Sequence, residues 1–112
     1  HFNVMIGRDT MIHAALAYGC SGAEASCANV SPRVVADIYD KYVAGDLAGS
    51  LEAQYRLAPL RIATNMGTFP EVIKESLNLL GIPVGKCLDP IQELKPEEKE
   101  KLRQVLVDMK LI

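Results

Sequence analysis

Glu24 and Ser26 stand two residues apart in Ala23-Glu24-Ala25-Ser26-Cys27, where polar and small apolar side chains alternate. A period of two places the polar pair on one face of a strand and the apolar set on the other. In a parallel sheet covered on both faces, two polar groups need a polar purpose, because burying them unpaired is costly. A carboxylate so placed can act as a general base or bind hydroxyls. A second cluster is Gly7-Arg8-Asp9-Thr10. Gly7 lets a ligand approach the backbone closely. Arg8 can pair a carboxylate or phosphate, or face solvent. Asp9 can accept hydrogen bonds from substrate hydroxyls or cap the helix that follows it. The turn lacks the further glycines of a P-loop or a dinucleotide fingerprint.

Other reactive side chains offer less. His13 lies inside a predicted helix and reads as a surface or packing residue. Cys27 points with Ala23 and Ala25 toward covering helices and is not nominated as a nucleophile. Cys20, Cys27 and Cys87 are odd in number and widely spaced. They suggest neither a disulfide framework nor a zinc site, and read as buried free thiols in a reducing compartment. The expected location is cytoplasmic. The lysines at 41, 74, 86, 95, 99, 101 and 110 fall on helices or connections. None sits where an amine nucleophile would be desolvated enough to be neutral.

The elements that position these groups follow from periodicity and stop signals. Phe2 to Gly7 reads as a short strand, and Met11 to Tyr18 as a helix ended by Gly19. Gly22 to Cys27 reads as a second strand. Ser31 can cap the next helix and Pro32 suits its first position. Strand–helix–strand–helix is the signature of a parallel sheet. Val34, Val35, Ile38, Tyr39, Tyr42 and Val43 recur at helical spacing, and Gly45 stops that helix. Asp46 can cap a helix from about Leu47 to Asn65, with Leu47, Leu51 and Tyr55 as an apolar stripe and a kink at Pro59. A further helix runs from Phe69 or Pro70 to Leu80, ended by Gly81. An extended connection covers Ile82 to Leu94. Pro96 opens the last helix, with Leu102, Val105, Leu106 and Met109 as its buried stripe.

The chain of 112 residues carries a net charge of -2, with 49% hydrophobic and 23% charged residues. That balance leaves no electrostatic footprint for nucleic acid. No apolar run approaches a membrane span. His1 reads as a tag remnant.

Asn3 to Asp9, Gly22 to Val30, Ala58-Pro59-Leu60, and Pro90-Ile91 with the Glu-rich last helix together resemble one family. It is the Schiff-base-forming aldolases that include dihydrodipicolinate synthase, N-acetylneuraminate lyase and the 2-keto-3-deoxy sugar acid aldolases. The resemblance covers essentially the whole chain. It implies an α/β fold: the last two β/α units of a (β/α)8 TIM barrel, followed by a C-terminal helical extension. Residues 1–45 would hold strands seven and eight with their helices, and residues 46–112 the extension, packed as one body. A typical barrel of this kind has about 250 residues, so the chain is expected to be part of a longer protein.

The implied activity is imine-forming aldol cleavage or condensation of a 2-oxo acid, by a 2-keto-3-deoxy sugar acid aldolase or a dihydrodipicolinate synthase. Gly67-Thr68-Phe69-Pro70 is similar to the sugar acid branch. Substrate contacts would come from Gly7, Arg8, Asp9, Thr10, Glu24, Ala25 and Ser26. In relatives the position of Glu24 holds an apolar residue. Here it is either a substrate contact or an ion-pair partner for a basic residue supplied by the missing segment. Sialic acid lyases carry an acidic residue where Thr10 stands, which argues against that substrate. The imine lysine, the proton-shuttling tyrosine and the carboxylate-binding loop would all precede this chain, which alone is expected to be inactive. No metal or organic cofactor is implied. The expected partners are the remaining N-terminal portion of the barrel, a small 2-oxo acid and further copies in a homotetramer, with no nucleic acid and no membrane. The alternative is a non-catalytic helical interaction module.

Overall fold

A computed structural model describes residues 2–112; His1, read as a tag remnant, lies outside the described residues. Two strands, β1 (Met5–Ile6) and β2 (Gly22–Ala23), pair in parallel with Met5 opposite Gly22 and Ile6 opposite Ala23. The ladder is extended at both ends by Ser21 N–H donating to the Val4 carbonyl (2.8 Å) and Glu24 N–H to the Ile6 carbonyl (2.9 Å). Between the strands a 3₁₀ turn (Asp9–Met11) leads into helix α1 (Ile12–Ala17). Helices α2 (Pro32–Val43), α3 (Leu47–Ala63), α4 (Glu71–Leu79) and α5 (Pro96–Asp108) follow. The order strand–helix–strand–helix agrees with the parallel arrangement expected from the sequence.

Both strands are shorter than expected: the first, read over Phe2 to Gly7, is confined to Met5–Ile6, and the second, read over Gly22 to Cys27, ends at Ala23. Beyond it Ser26–Asn29 form a 3₁₀ turn. The alternation through Cys27 is therefore not a strand face. Cys27 is fully buried, Ser26 is half-buried and Glu24 is exposed. Ser31 stands at the N-terminal boundary of α2, but its hydroxyl makes no capping bond and has no partner among the described residues. Its ψ of 65° departs from the extended backbone that aims a capping oxygen at the first helical N–H groups. Asp46 does cap: its carboxylate accepts from Gly49 N–H at 2.9 Å. Gly45 and Gly81 follow their helices at φ +85° and +82°, the left-handed geometry that ends helices at little cost for glycine.

The chain divides into two compact units, residues 1–58 and 59–112. The boundary expected after residue 45 falls between α2 and α3, inside the first unit. The reason is the face that the first half of α3 buries. Leu47, Leu51 and Tyr55, the apolar stripe of the sequence, are exposed at 54%, 36% and 67%. The buried residues there are Ser50, Ala53, Gln54 and Leu57, and two of them hydrogen-bond to residues of the strand–helix units (below). Pro59 lies inside a helix that is continuous from Leu47 to Ala63, followed by a 3₁₀ turn at Thr64–Met66.

In the first unit Ile12, Leu16, Val34 and Ile38 are buried. Burying each such side chain fully contributes about 1.5–3 kcal/mol. The second unit packs Ala63, Val72, Leu94 and Leu102 together, with Met66, Leu79 and Val105 against them. Its last helix opens on Pro96, and the Glu98 carboxylate reaches back to Lys95 N–H at 2.8 Å, the returning half of a capping box.

Charge ties down the connection before α5. Lys86 Nζ lies 2.6 Å from Glu93, and Lys99 Nζ lies 3.2 Å from Glu75 and 3.6 Å from Glu93. A hydrogen bond from Lys86, then its charge, holds the Glu93 carboxyl below its ordinary 4.5. Partial burial alone would lower the Lys99 ammonium, but the carboxylates of Glu75 and Glu93 outweigh it and hold it above 10.5. A lowered carboxyl contributes stability above its unfolded value and loses it as pH falls through the folded one. A raised ammonium contributes fully below its unfolded value and loses it as pH rises through the folded one. Urea midpoints are therefore expected to decline below pH 4.5 and again above pH 10.5. Lys99→Met should flatten the alkaline decline. An unchanged alkaline limb in that variant would remove Lys99 from the account.

Candidate active site

Because β1 and β2 run parallel, the segments that leave them, Gly7–Thr10 and Glu24–Ser26, emerge at the same end of the sheet. That shared end is where strand-borne chemistry collects in parallel α/β folds. The sequence expected both segments to be functional, and the structure brings them into contact through Asp9.

Asp9 is 3% exposed. One of its carboxylate oxygens accepts from Cys27 N–H at 2.8 Å and from the Ser26 hydroxyl at 3.2 Å. Asp9 is therefore not the cap of the helix that follows it. It braces the 3₁₀ turn that follows the other strand, accepting from that turn's first residues as a capping carboxylate does. A charge-assisted bond of this kind is stronger than a neutral one.

The remaining candidates are open. Arg8, Thr10 and Gly7 are exposed, and Ala25 is half-buried at the head of the Ser26–Asn29 turn. A Cβ added to Gly7 would meet nothing within 4 Å. Among the described residues, no hydrogen bond or ion pair engages the side chains of Glu24 or Arg8.

Sequence reasoning missed Ser50 and Gln54. They lie one turn apart on α3, both buried. The Gln54 amide donates to the Asp9 carbonyl at 2.8 Å, and its oxygen accepts from His13 N–H at 3.0 Å. The Ser50 hydroxyl donates to the Ile38 carbonyl at 2.7 Å and lies 2.8 Å from His13 Nδ1. A hydroxyl has one proton, so Nδ1 is the donor to Ser50. His13 is half-buried and stands edge-on to Tyr42, with ring centroids 5.7 Å apart. Its ring thus contacts Ser50 and Tyr42. The available signal was a polar pair at i and i+4 beside Ala53 and Leu57, outweighed by the more apolar stripe on the opposite face.

Cys87 is half-buried. Burial, then hydrogen bonding and charge from Glu71, push its thiol above the usual range, which disfavours the thiolate a nucleophile needs. Among the described residues no three His, Cys, Asp or Glu side chains gather as a metal site requires, and no helix is long and apolar enough to cross a membrane.

Residues 1–109 match the model of the dihydrodipicolinate synthetase family. The 4-hydroxy-tetrahydrodipicolinate synthase of Methanoculleus marisnigri is 38% identical over 107 residues, which are 96% of this chain and 37% of that protein. The enzyme of the same name from Archaeoglobus fulgidus is 32% identical over 111 residues, 99% of this chain and 38% of that protein. The crystal structure of dihydrodipicolinate synthase from Thermotoga maritima superposes with a TM-score of 0.94 at 30% identity, covering 99% of this chain and 38% of that one. A prophage protein of the same family from E. coli K12, solved in complex with pyruvate, superposes at 0.92 with 30% identity, over all of this chain and 38% of that one. With nearly its whole length matched, in sequence and in fold, to little more than a third of these enzymes, the chain belongs to the dihydrodipicolinate synthetase family.

Proposed function

We propose that this chain forms the last two β/α units and the helical extension of a (β/α)8 barrel. The complete protein is an imine-forming lyase or synthase acting on pyruvate or a related 2-oxo acid. The observation that carries this is the pairing of the two parallel strands, which sets Gly7–Thr10 and Glu24–Ser26 side by side at one end. In this reading Gly7 leaves its backbone open to the substrate, and Arg8, Thr10, Glu24, Ala25 and Ser26 line the approach. Asp9 fixes the two segments against each other and presents its remaining acceptor capacity to substrate hydroxyls. The imine lysine comes from the rest of the barrel, which also covers the strand edges. Further copies of the chain complete a cytoplasmic homo-oligomer. The relative solved with pyruvate supports the 2-oxo acid.

Borohydride reduction in the presence of pyruvate tests the reading. The complete protein is expected to gain one pyruvyl adduct on a lysine outside this chain, and the isolated chain to gain none. An adduct on any lysine of this chain would overturn the assignment of its residues as substrate contacts only. A second reading, a non-catalytic helical interaction module, draws on the exposed Leu47, Leu51 and Tyr55. A complete protein that traps no pyruvate and turns over no 2-oxo acid would favour it.

A further inference from the structure

Gln54 is 7% exposed and spends both ends of its amide on the backbone that leads into α1. His13 is the second residue of α1, so its N–H has no partner within the helix. The Asp9 carbonyl needs a donor and the His13 N–H needs an acceptor, which fixes the amide in one orientation. Ser50, one turn earlier on the same face, holds the His13 ring. The chain from the end of β1 into the first turn of α1 is thus gripped by two side chains of α3, across 37 to 45 residues of chain. From the same Asp9, the carboxylate passes the grip on to Ser26 and Cys27. Hydrogen bonds therefore run unbroken from α3, through Asp9, to the turn that adjoins Glu24.

We infer that Gln54 is a positioning residue: it sets Asp9, and through Asp9 the Ser26–Cys27 turn, at the substrate end of the sheet. Its consequence for turnover rests on the lyase reading above. The hydrogen-bond coupling itself does not. Only glutamine serves both backbone groups at this reach, since glutamate has no donor for the Asp9 carbonyl and methionine has neither group. A small misplacement of groups at a reacting centre can cost about 10²-fold in rate even when the altered residue lies far from it.

The test uses Gln54→Glu and Gln54→Met in the complete protein, with residue-resolved amide exchange and steady-state kinetics. In Gln54→Glu the carboxylate still accepts from His13 N–H, so the His13 amide is expected to stay protected. The Cys27 amide should exchange about tenfold faster or more, because the Asp9 carbonyl has lost its donor. In Gln54→Met both amides should open. Turnover should fall by about 10²-fold in both variants, while pyruvate trapping persists, since the imine lysine lies elsewhere. An unchanged Cys27 amide in either folded variant overturns the inference. So does equal opening of His13 and Cys27 in Gln54→Glu, which would report general loosening instead of coupling through Asp9. Should Gln54→Met fail to fold, Gln54→Glu decides alone. A wild-type protein without turnover overturns the lyase reading and leaves the exchange pattern to decide the coupling.

Discussion

Replacing Asp9 with alanine is expected to destabilise the complete protein by about 1.5–3 kcal/mol, the scale of a hydrogen bond to a charged group. The buried Cys27 N–H has its 2.8 Å bond to this carboxylate, and Ser26 Oγ shares the same oxygen. Alanine removes that acceptor from a site with almost no access to water, where an unmade bond costs more than a made one contributes. Asp9→Asn keeps an acceptor in place and should retain most of the stability, losing only the charge assistance. Urea midpoints of the two variants measure the difference. A midpoint for Asp9→Ala equal to that of the wild type would show that the Ser26–Asn29 turn holds without its brace. Equal losses in both variants would assign the effect to the charge and not to the acceptor.

On the proposed lyase reading, with Glu24 at the substrate, Glu24→Gln in the complete protein is expected to lower turnover by about 10²-fold or more, the scale of acid–base catalysis by a positioned carboxylate. Its urea midpoint should not move. Glu24 is exposed at the end of β2, its side chain engages no other described residue, and the amide keeps its shape. The bond that does fix this residue is its backbone N–H to the Ile6 carbonyl, which the substitution leaves intact. The combination separates a chemical role from a structural one. Full activity with an unaltered pH profile would remove Glu24 from the chemistry and leave the reading of an ion pair with a basic residue from the rest of the complete protein. A lowered midpoint with full activity would say the same more strongly.

The helical layout and the strand–helix order were legible in single residues and their spacing. Val34 and Ile38, and Leu102 and Leu106, recur at i and i+4, and the structure buries all four. Pro32 and Pro96 open helices, and Gly45 and Gly81 close them, because ring geometry and a left-handed backbone are properties of single residues. The family was legible for a related reason: its landmarks are short local motifs in a fixed order. Interactions that span long stretches of chain were not legible in the sequence, because their partners meet only in the folded state. Alternation from Ala23 to Cys27 is too short to tell a strand from a turn, and the 3₁₀ turn there is braced by a carboxylate 18 residues earlier. The inward face of α3 was decided in the same way. By hydrophobicity alone Leu47, Leu51 and Tyr55 should turn inward. Ser50 and Gln54 do so instead: Ser50 donates to the Ile38 carbonyl, and Gln54 serves the Asp9 carbonyl and the His13 N–H. Satisfying a buried donor or acceptor outweighs the choice among apolar faces, and no periodicity in one helix records where another helix leaves such a group.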